Sequence, residues 1–317
     1  MAQNRTVVGI DVAKDKVDTA IRSVAEASFA TTPEGRRQLL DWLQAHGVDK
    51  AVMEASGGYD RSWASLLRRA GLEVVIVDPK RVRHFAKSAG QLAKNDPIDA
   101  RMIAWFGEVF EDTLGQPHDE DRQELDQLVT ARLGVGRLKE QIDSWREHEQ
   151  PTVVQKAHQA LLKAVAVQLT KLATAIAAKI DQTQRFGQRA EIIHSVPGLG
   201  DGAAAGLIAF LPELGRVDRQ AAAALLGVAP FDDDSGKRRG ERHIVGGRRK
   251  LRCLLYMAVL GAATQHNPVL KAHYQRLIAK GKKHNVALMA CMRKLIGILT
   301  TMLRRSEKWD PTRHATA

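Results

Sequence analysis

The chain has 317 residues, 44% hydrophobic and 26% charged, and its 48 Lys and Arg against 36 Asp and Glu give a net charge of +12 and a pI near 9.8. That length suits two domains with a connector, and the composition excludes disorder as the default state. The cationic surplus favours a polyanionic partner, nucleic acid first. Cys253 and Cys291 have no CxxC or Cys/His spacing around them and read as reduced core thiols. No cationic leader and no run of 18 uncharged apolar residues occurs, so the sequence points to a cytoplasmic protein without a membrane span, nucleoid-associated when active.

From Thr6 to about Phe106, short β-rich runs alternate with amphipathic helices, the pattern of an α/β domain. Thr6 to Val12 and Lys16 to Arg22 predict a hairpin, and Ala27 to Thr31 a third strand. Gly35 to His46 predicts a helix, Lys50 to Ala55 a strand, Asp60 to Ala70 a helix and Glu73 to Val77 a strand ending at Asp78 and Pro79. The order β-β-β-α-β-α-β-α is that of a ribonuclease H-like sheet. KRVRHFAKSAGQLAKNDPIDARMIAWF then predicts a mobile cationic loop leading into a helix that starts near Asp96. From about Asp119 to Arg185 the spacing of Leu125, Leu128, Leu138, Ile142 and Trp145, then of Leu161, Val165, Leu169, Leu172, Ile176 and Ile180, predicts two helices broken at Gln150 and Pro151. They read as an antiparallel coiled-coil arm whose apolar seam favours self-association. From Ala190 onward glycine-punctuated apolar helices predict a mainly α domain. The expected division is therefore 1–115, 116–188 and 189–317.

Four carboxylates fall where such a sheet can gather them. Asp11 ends a β-rich run, and alternation puts it on the same face as Gly9; it could equally cap the turn before Lys14. Glu54 ends the strand AVME before the turn ASGGY, either as a site residue or as a solvated strand end. In NDPIDARMIAWF, Asp96 and Asp99 suit the N-cap and third position of a helix, yet the same spacing puts both on one face toward a cation. As a set the four suit phosphodiester chemistry with two Mg²⁺ ions.

Ser235 lies in FDDDSGKRRGERHI, where Lys237, Arg238, Arg239 and Arg242 could hold a scissile phosphate around a serine nucleophile; an ordinary surface turn fits the same letters. VPGLGDGAAAGL resembles the turn of a helix-hairpin-helix, with Gly198 and Gly200 bringing backbone amides to a phosphate, although a tight interhelical turn competes. GGRRKLR, with Arg248, Arg249 and Arg252, reads as a phosphate-contacting helix start or a solvated basic one. Neither paired His ligands nor GxxxxGK[ST] occurs, so neither zinc nor ATP is indicated.

Several long phrases in order, VVGIDVAKDKVD, AVMEASGGYD, KNDPIDARMIA, VPGLG, LLGVAPFDDDSGKRRGERHIVGGRRKLRCLLYMA, HNPVLKAHYQRLIAKGK and KKHNVALMACMRKL, resemble the DEDD transposases of bacterial insertion sequences, the family one-hundred-and-ten group, related to the pilin-gene invertases. The resemblance implies a RuvC-like site in which Asp11, Glu54, Asp96 and Asp99 hold Mg²⁺, and a C-terminal transposase domain in which Ser235 is the nucleophile of a phosphoserine linkage to DNA. It also implies a noncoding bridge RNA, donor and target DNA, and a homodimer assembling into a tetramer. Asp234 stands before Ser235 where many relatives carry Ser. Since 136 positions separate Asp99 from Ser235, the implied site is composite. The competing readings are a RuvC-like endonuclease that uses water, a nonenzymatic DNA-binding protein and a sugar-kinase-like ATPase.

Overall fold

The computed structural model describes residues 5–91, 96–110, 119–148, 150–231, 240 and 243–314, with the backbone alone for 96–98 and 314. Two compact units divide it, Met1–His118 and Asp119–Ala317.

The first unit follows the expected order: β1 (Val7–Val12), β2 (Lys16–Ile21), β3 (Ala25–Ala30), α1 (Pro33–Ala45), β4 (Lys50–Glu54), α2 (Tyr59–Arg69), β5 (Glu73–Val77), α3 (Pro79–Ser88) and α4 (Asp96–Val109). The sheet order is β3-β2-β1-β4-β5, with β1, β2 and β3 antiparallel in turn and β4 and β5 parallel to β1, as a ribonuclease H-like sheet requires. Alternation divides its side chains between two cores. Val8, Ile10, Val12 and Met53 meet Leu39, Leu43, Trp63 and Leu67 of α1 and α2, while Val7, Val52, Val75 and Val77 meet Val82, Met102, Ile103 and Phe106 of α3 and α4.

One expectation fails in this unit. The stretch expected to be a cationic loop folds from Pro79 to Ser88 as α3, because Asp78 caps Lys80 N and Pro79 takes the first helical position. Phe85 on its inner side meets Trp105, Phe106 and Phe110 edge-on. Residues 92–95 of that stretch lie outside the described residues.

The second unit is helical apart from one short ladder: α5 (Glu120–Trp145), α6 (Thr152–Gln182), α7 (Gln184–His194), α8 (Asp201–Phe210), α9 (Arg219–Leu226), β6 (Pro230–Phe231), β7 (His243–Ile244), α10 (Arg249–Gly261), a π-helical turn Ala262–His266, α11 (Pro268–Ala279), α12 (His284–Arg305) and α13 (Pro311–His314). Leu125 and Val129 of α5 and Ile176 and Ile180 of α6 enter the same core as α7 to α12, whereas Leu138, Trp145 and Leu161 remain exposed. By length and composition α6 and α12 could each cross a bilayer, but α12 is the central core helix, with Leu288, Met292, Leu295, Ile296 and Leu299 buried. Cys291 is buried as expected, and burial pushes its thiol up to about 11; Cys253 is exposed on α10, contrary to its reading as a core thiol.

Candidate nuclease site and Ser235 hairpin

Register determines where the acids go. Gly9 pairs with Val52 and Ile10 with Met53 in parallel, so the next residues, Asp11 and Glu54, end adjacent strands side by side. Both lie on the α4 side of the sheet, since Asp11 follows Val7 and Gly9 by twos and Glu54 follows Val52. Gly9 lets the helix settle there: a Cβ on it would stand 2.1 Å from the Ala100 carbonyl oxygen and 2.3 Å from Ala104 N. Further along, a Cβ on Gly107 would strike Val52 and Val7. Thus α4 runs against β1 in the opposite direction, and its first turn, holding Asp96 and Asp99, comes to the strand ends that carry Asp11 and Glu54. Asp11, Glu54 and Asp99 are each partly buried; the Asp96 side chain lies outside the described residues.

Hard carboxylate oxygens from two strands and a helix suit Mg²⁺ far better than a soft-ligand metal. Among the described residues, no three His, Cys, Asp or Glu side chains are already drawn into a metal-binding group.

Two further acids belong to this corner and escaped sequence reasoning. Asp18 pairs directly opposite Asp11 in the antiparallel ladder, hence on the same face, is 7% exposed, and accepts an ion pair from Lys16 Nζ at 2.8 Å. Period-two spacing in KVDTA was the available signal. Asp60 is buried, and its Oδ1 accepts from Ser56 N and Gly58 N, both at 3.1 Å. It thereby holds the turn after Glu54, where Gly57 and Gly58 take φ of 65° and 107°.

In the second unit, Ser235, Lys237, Arg238, Arg239 and Arg242 lie outside the described residues, and the strands on either side of them, β6 and β7, pair with each other. Pro230 pairs with Ile244 and Phe231 with His243. Below that ladder the backbones of Gly227 and Gly247 touch: a Cβ on Gly247 would lie 2.2 Å from Gly227 N. Both have positive φ, 82° and 71°. Arg252 Nη1 donates to the carbonyls of Gly227 (3.1 Å) and Gly246 (2.9 Å), tying one side of the hairpin to the other.

That bracing involves the arginines of GGRRKLR themselves. Arg248 forms a two-pronged pair with Glu213 and donates to the Phe210 carbonyl. Burial would push the Glu213 carboxyl up, but the hydrogen bonds and charge of Arg248 outweigh it and hold it below its ordinary range. Lys250 donates to Thr130 Oγ1 and lies over the Phe210 ring. Arg248 and Arg252 are internal braces, and of the three arginines expected to touch nucleic acid there, Arg249 alone is fully on the surface.

The VPGLG turn joins α7 to α8. Gly198, at φ 92°, has its Cβ position 2.7 Å from the Ala262 methyl, so close helix packing accounts for it; Gly200, the α8 N-cap, faces open space. The buried Asn267 links this turn to the HNP phrase: its Oδ1 caps Val269 N and Leu270 N, and its Nδ2 donates to the Pro197 carbonyl.

Two family models match the chain in order, the DEDD-type IS110 transposase over residues 8–141 and the transposase of the IS116/IS110/IS902 family over residues 190–275. The pilin gene-inverting protein of Moraxella bovis is 26% identical over 324 residues, covering 98% of this chain and 99% of that protein. A 44.8 kDa protein of insertion element IS116 from Streptomyces clavuligerus is 34% identical over 135 residues, 42% of this chain and 34% of that protein. Among solved structures, Thermus thermophilus RuvC is a loose likeness, with a TM-score of 0.29 and 16% identity over 34% of this chain and 98% of that one. With both family matches in sequence order, over residues 8–141 and 190–275, the protein belongs to the DEDD-type transposases of the IS110/IS116/IS902 family.

Proposed function

We propose that the protein is a Mg²⁺-dependent DNA recombinase of an insertion sequence that breaks and rejoins strands through a phosphoserine linkage at Ser235. One observation carries the reading: α4 lies on Gly9 through Ala100 and Ala104 and runs against β1, which directs its acidic first turn toward the end of the sheet where Asp11 and Glu54 stand side by side. Asp11, Glu54, Asp96 and Asp99 would hold the metal, which when bound neutralises charge developing on the phosphate and eases loss of a proton from the attacking hydroxyl. Ser235 Oγ forms a bond to phosphorus while one P–O bond of the strand breaks; the serine proton leaves, and the departing oxygen takes up a proton. A hydroxyl from the second duplex then attacks the phosphoserine, restoring the diester and the serine, so the bond energy is conserved without ATP. The braced base at Gly227, Gly247 and Arg252 would hold the nucleophile's hairpin in place, while Lys237, Arg238, Arg239, Arg242 and Arg249 offer cations to the phosphate. Gly200 N at the start of α8 is the remaining candidate of the VPGLG turn for a backbone contact. In this reading the protein works in the cytoplasm on donor and target DNA, guided by a bridge RNA, as a dimer that assembles into a tetramer.

The test is a denaturant-quenched reaction with labelled DNA and Mg²⁺. Wild type is expected to retain label on the protein, whereas Ser235→Ala and Asp11→Asn leave background adduct and bind DNA as before. An adduct persisting in Ser235→Ala excludes that nucleophile. Nicked DNA with no adduct from wild type would instead identify direct hydrolysis, the RuvC-like endonuclease reading.

A further inference from the structure

The whole cationic surplus lies in the second unit: 16 Lys and Arg match 16 Asp and Glu up to His118, against 32 and 20 beyond it. Within that unit, the span from Arg242 to Ser306 holds 14 Lys and Arg and no Asp or Glu. Two cavities of about 450 and 340 Å³ open on it and adjoin, since His273 and Lys294 line both. Arg219 of α9 and Arg293 of α12 complete the cationic lining of the larger, and Arg276 of α11 that of the smaller; neither lining includes a carboxylate among the described residues.

The cations are held in place by the fold. The stem of Arg219 lies along Gly297 of α12, and its Nε donates to Thr301 Oγ1 at 3.2 Å. Arg276 Nη2 donates to His273 Nδ1 at 2.9 Å, which uses the imidazole as an acceptor. Burial lowers the pKa of Lys294, and neighbouring Arg276 lowers it further; His273 is lowered by burial, then by Lys294 and Arg276. Positive groups that oppose one another's charge, with no acid on the lining among the described residues, make a local field that attracts anions.

We infer that this cleft between α9, α11 and α12 binds the sugar-phosphate backbone of a nucleic-acid strand, as a surface additional to the carboxylates of the first unit and to the Ser235 hairpin. The proposal rests on the reading of the protein as a DNA-handling enzyme and adds to it the surface that supplies affinity. Guanidinium forks from two helices match phosphate oxygens, and two joined cavities suit successive phosphates of one strand. Such contacts position the strand and carry no base sequence.

The test uses the full chain in EDTA, so that no cleavage intervenes, and reads fluorescence anisotropy on duplex DNA and on an RNA hairpin across a KCl series. Arg219→Gln/Arg276→Gln/Arg293→Gln is expected to weaken one or both probes by about tenfold or more. It should also lower the slope of log affinity against log salt by about two to three, each lost phosphate contact on duplex contributing about 0.9. Loss on DNA alone assigns a substrate duplex, and loss on RNA alone a guide. Lys280→Gln/Lys282→Gln/Lys283→Gln, which removes as much charge outside the cleft, should do markedly less. The single exposed change Arg293→Gln, expected to lower the slope by about one, gives the same answer if the triple variant does not fold. A slope unchanged in Arg293→Gln, or an equal loss in the lysine control, overturns the proposal. Failure of the recombinase reading is distinguishable: adduct chemistry would then be absent while the cleft effect on binding persists. A wild type that binds neither probe defeats both.

Discussion

In the first unit equal numbers of acids and bases coexist, and two of the carboxylates proposed to hold the metal stand where β1 and β4 end; in the second, 32 bases outnumber 20 acids and are spread over helices. The two arrangements are legible to different degrees. On a strand, a side chain's direction follows from parity, so one established pairing such as Gly9 with Val52 assigns a face to every neighbour. A long arginine on a helix has no such constraint. Arg248 turns inward to Glu213, Arg252 ties a hairpin together, and Arg293 looks outward, although all three come from basic clusters. Density of positive charge therefore identifies a nucleic-acid protein without identifying which arginines touch the nucleic acid.

The sharpest way to break the geometry of the first unit is Gly9→Ala. The added methyl meets backbone, not a side chain that could swing away, so α4 must move from β1. A loss of about 3 kcal/mol is expected for overpacking of this kind. Urea unfolding of the full chain should show a lower midpoint for the transition of this unit, with adduct formation falling to background. A variant as stable and active as wild type would mean that the helix is not held by this contact, and the placement of Asp96 and Asp99 beside Asp11 would lose its support.

Glu213→Gln probes the inward-turned arginines of the second unit. It leaves the Arg248 guanidinium, one third exposed, without its counter-ion, and a loss of about 1–3 kcal/mol is expected after allowance for solvent. The sign with pH follows from the lowered carboxyl: its contribution is whole above the ordinary value near 4.5 and disappears as pH falls through the lower native value. Denaturant midpoints of wild type and variant should therefore converge in acid below 4.5. If the gap is instead constant from neutral pH into that range, the pair does not stabilise the unit.

The element order, sheet and strand-end acids of the first unit could be read from the residues because period-two runs, Gly stops and the DPID helix start are local signals. The α3 helix was obscured by Lys80, Arg81, Arg83 and Lys87, although Asp78 and Pro79 carried its start signal and Val82 and Phe85 its inner face. Asn267 could not be read as a holder of the VPGLG turn, since the Pro197 carbonyl lies 70 residues away and is assigned only by the folded path of the chain, whereas the Asp60 partners Ser56 N and Gly58 N are local and were missed. The same holds for Arg248 and Arg252, whose acceptors lie 35 and 25 residues away at Glu213 and Gly227.

The mildest change asks whether the neutral balance of the first unit is local as well as global. Asp18 and Lys16 lie two apart on β2, hence on the face that Asp11 shares, and their ion pair keeps the Lys16 charge matched next to the strand-end acids. Asp18→Asn removes the charge of that carboxylate from beside Lys16. Its side chain is nearly half exposed, so little folding stability is at stake, under about 1 kcal/mol. The ammonium, however, then opposes a cation at Asp11 from one strand away. A unit charge at about 7 Å in water-like surroundings is worth about 0.6 kcal/mol, so Mg²⁺ affinity measured by titration calorimetry should fall by about threefold or somewhat more. Asp18→Asn/Lys16→Gln should restore it. An affinity that falls in the single variant and stays low in the double one would show that Asp18 acts on the metal through its own oxygens and not through Lys16. In that case the first unit would carry a fifth functional acid, and its balance of charge would be a property of the whole unit with no bearing on the site.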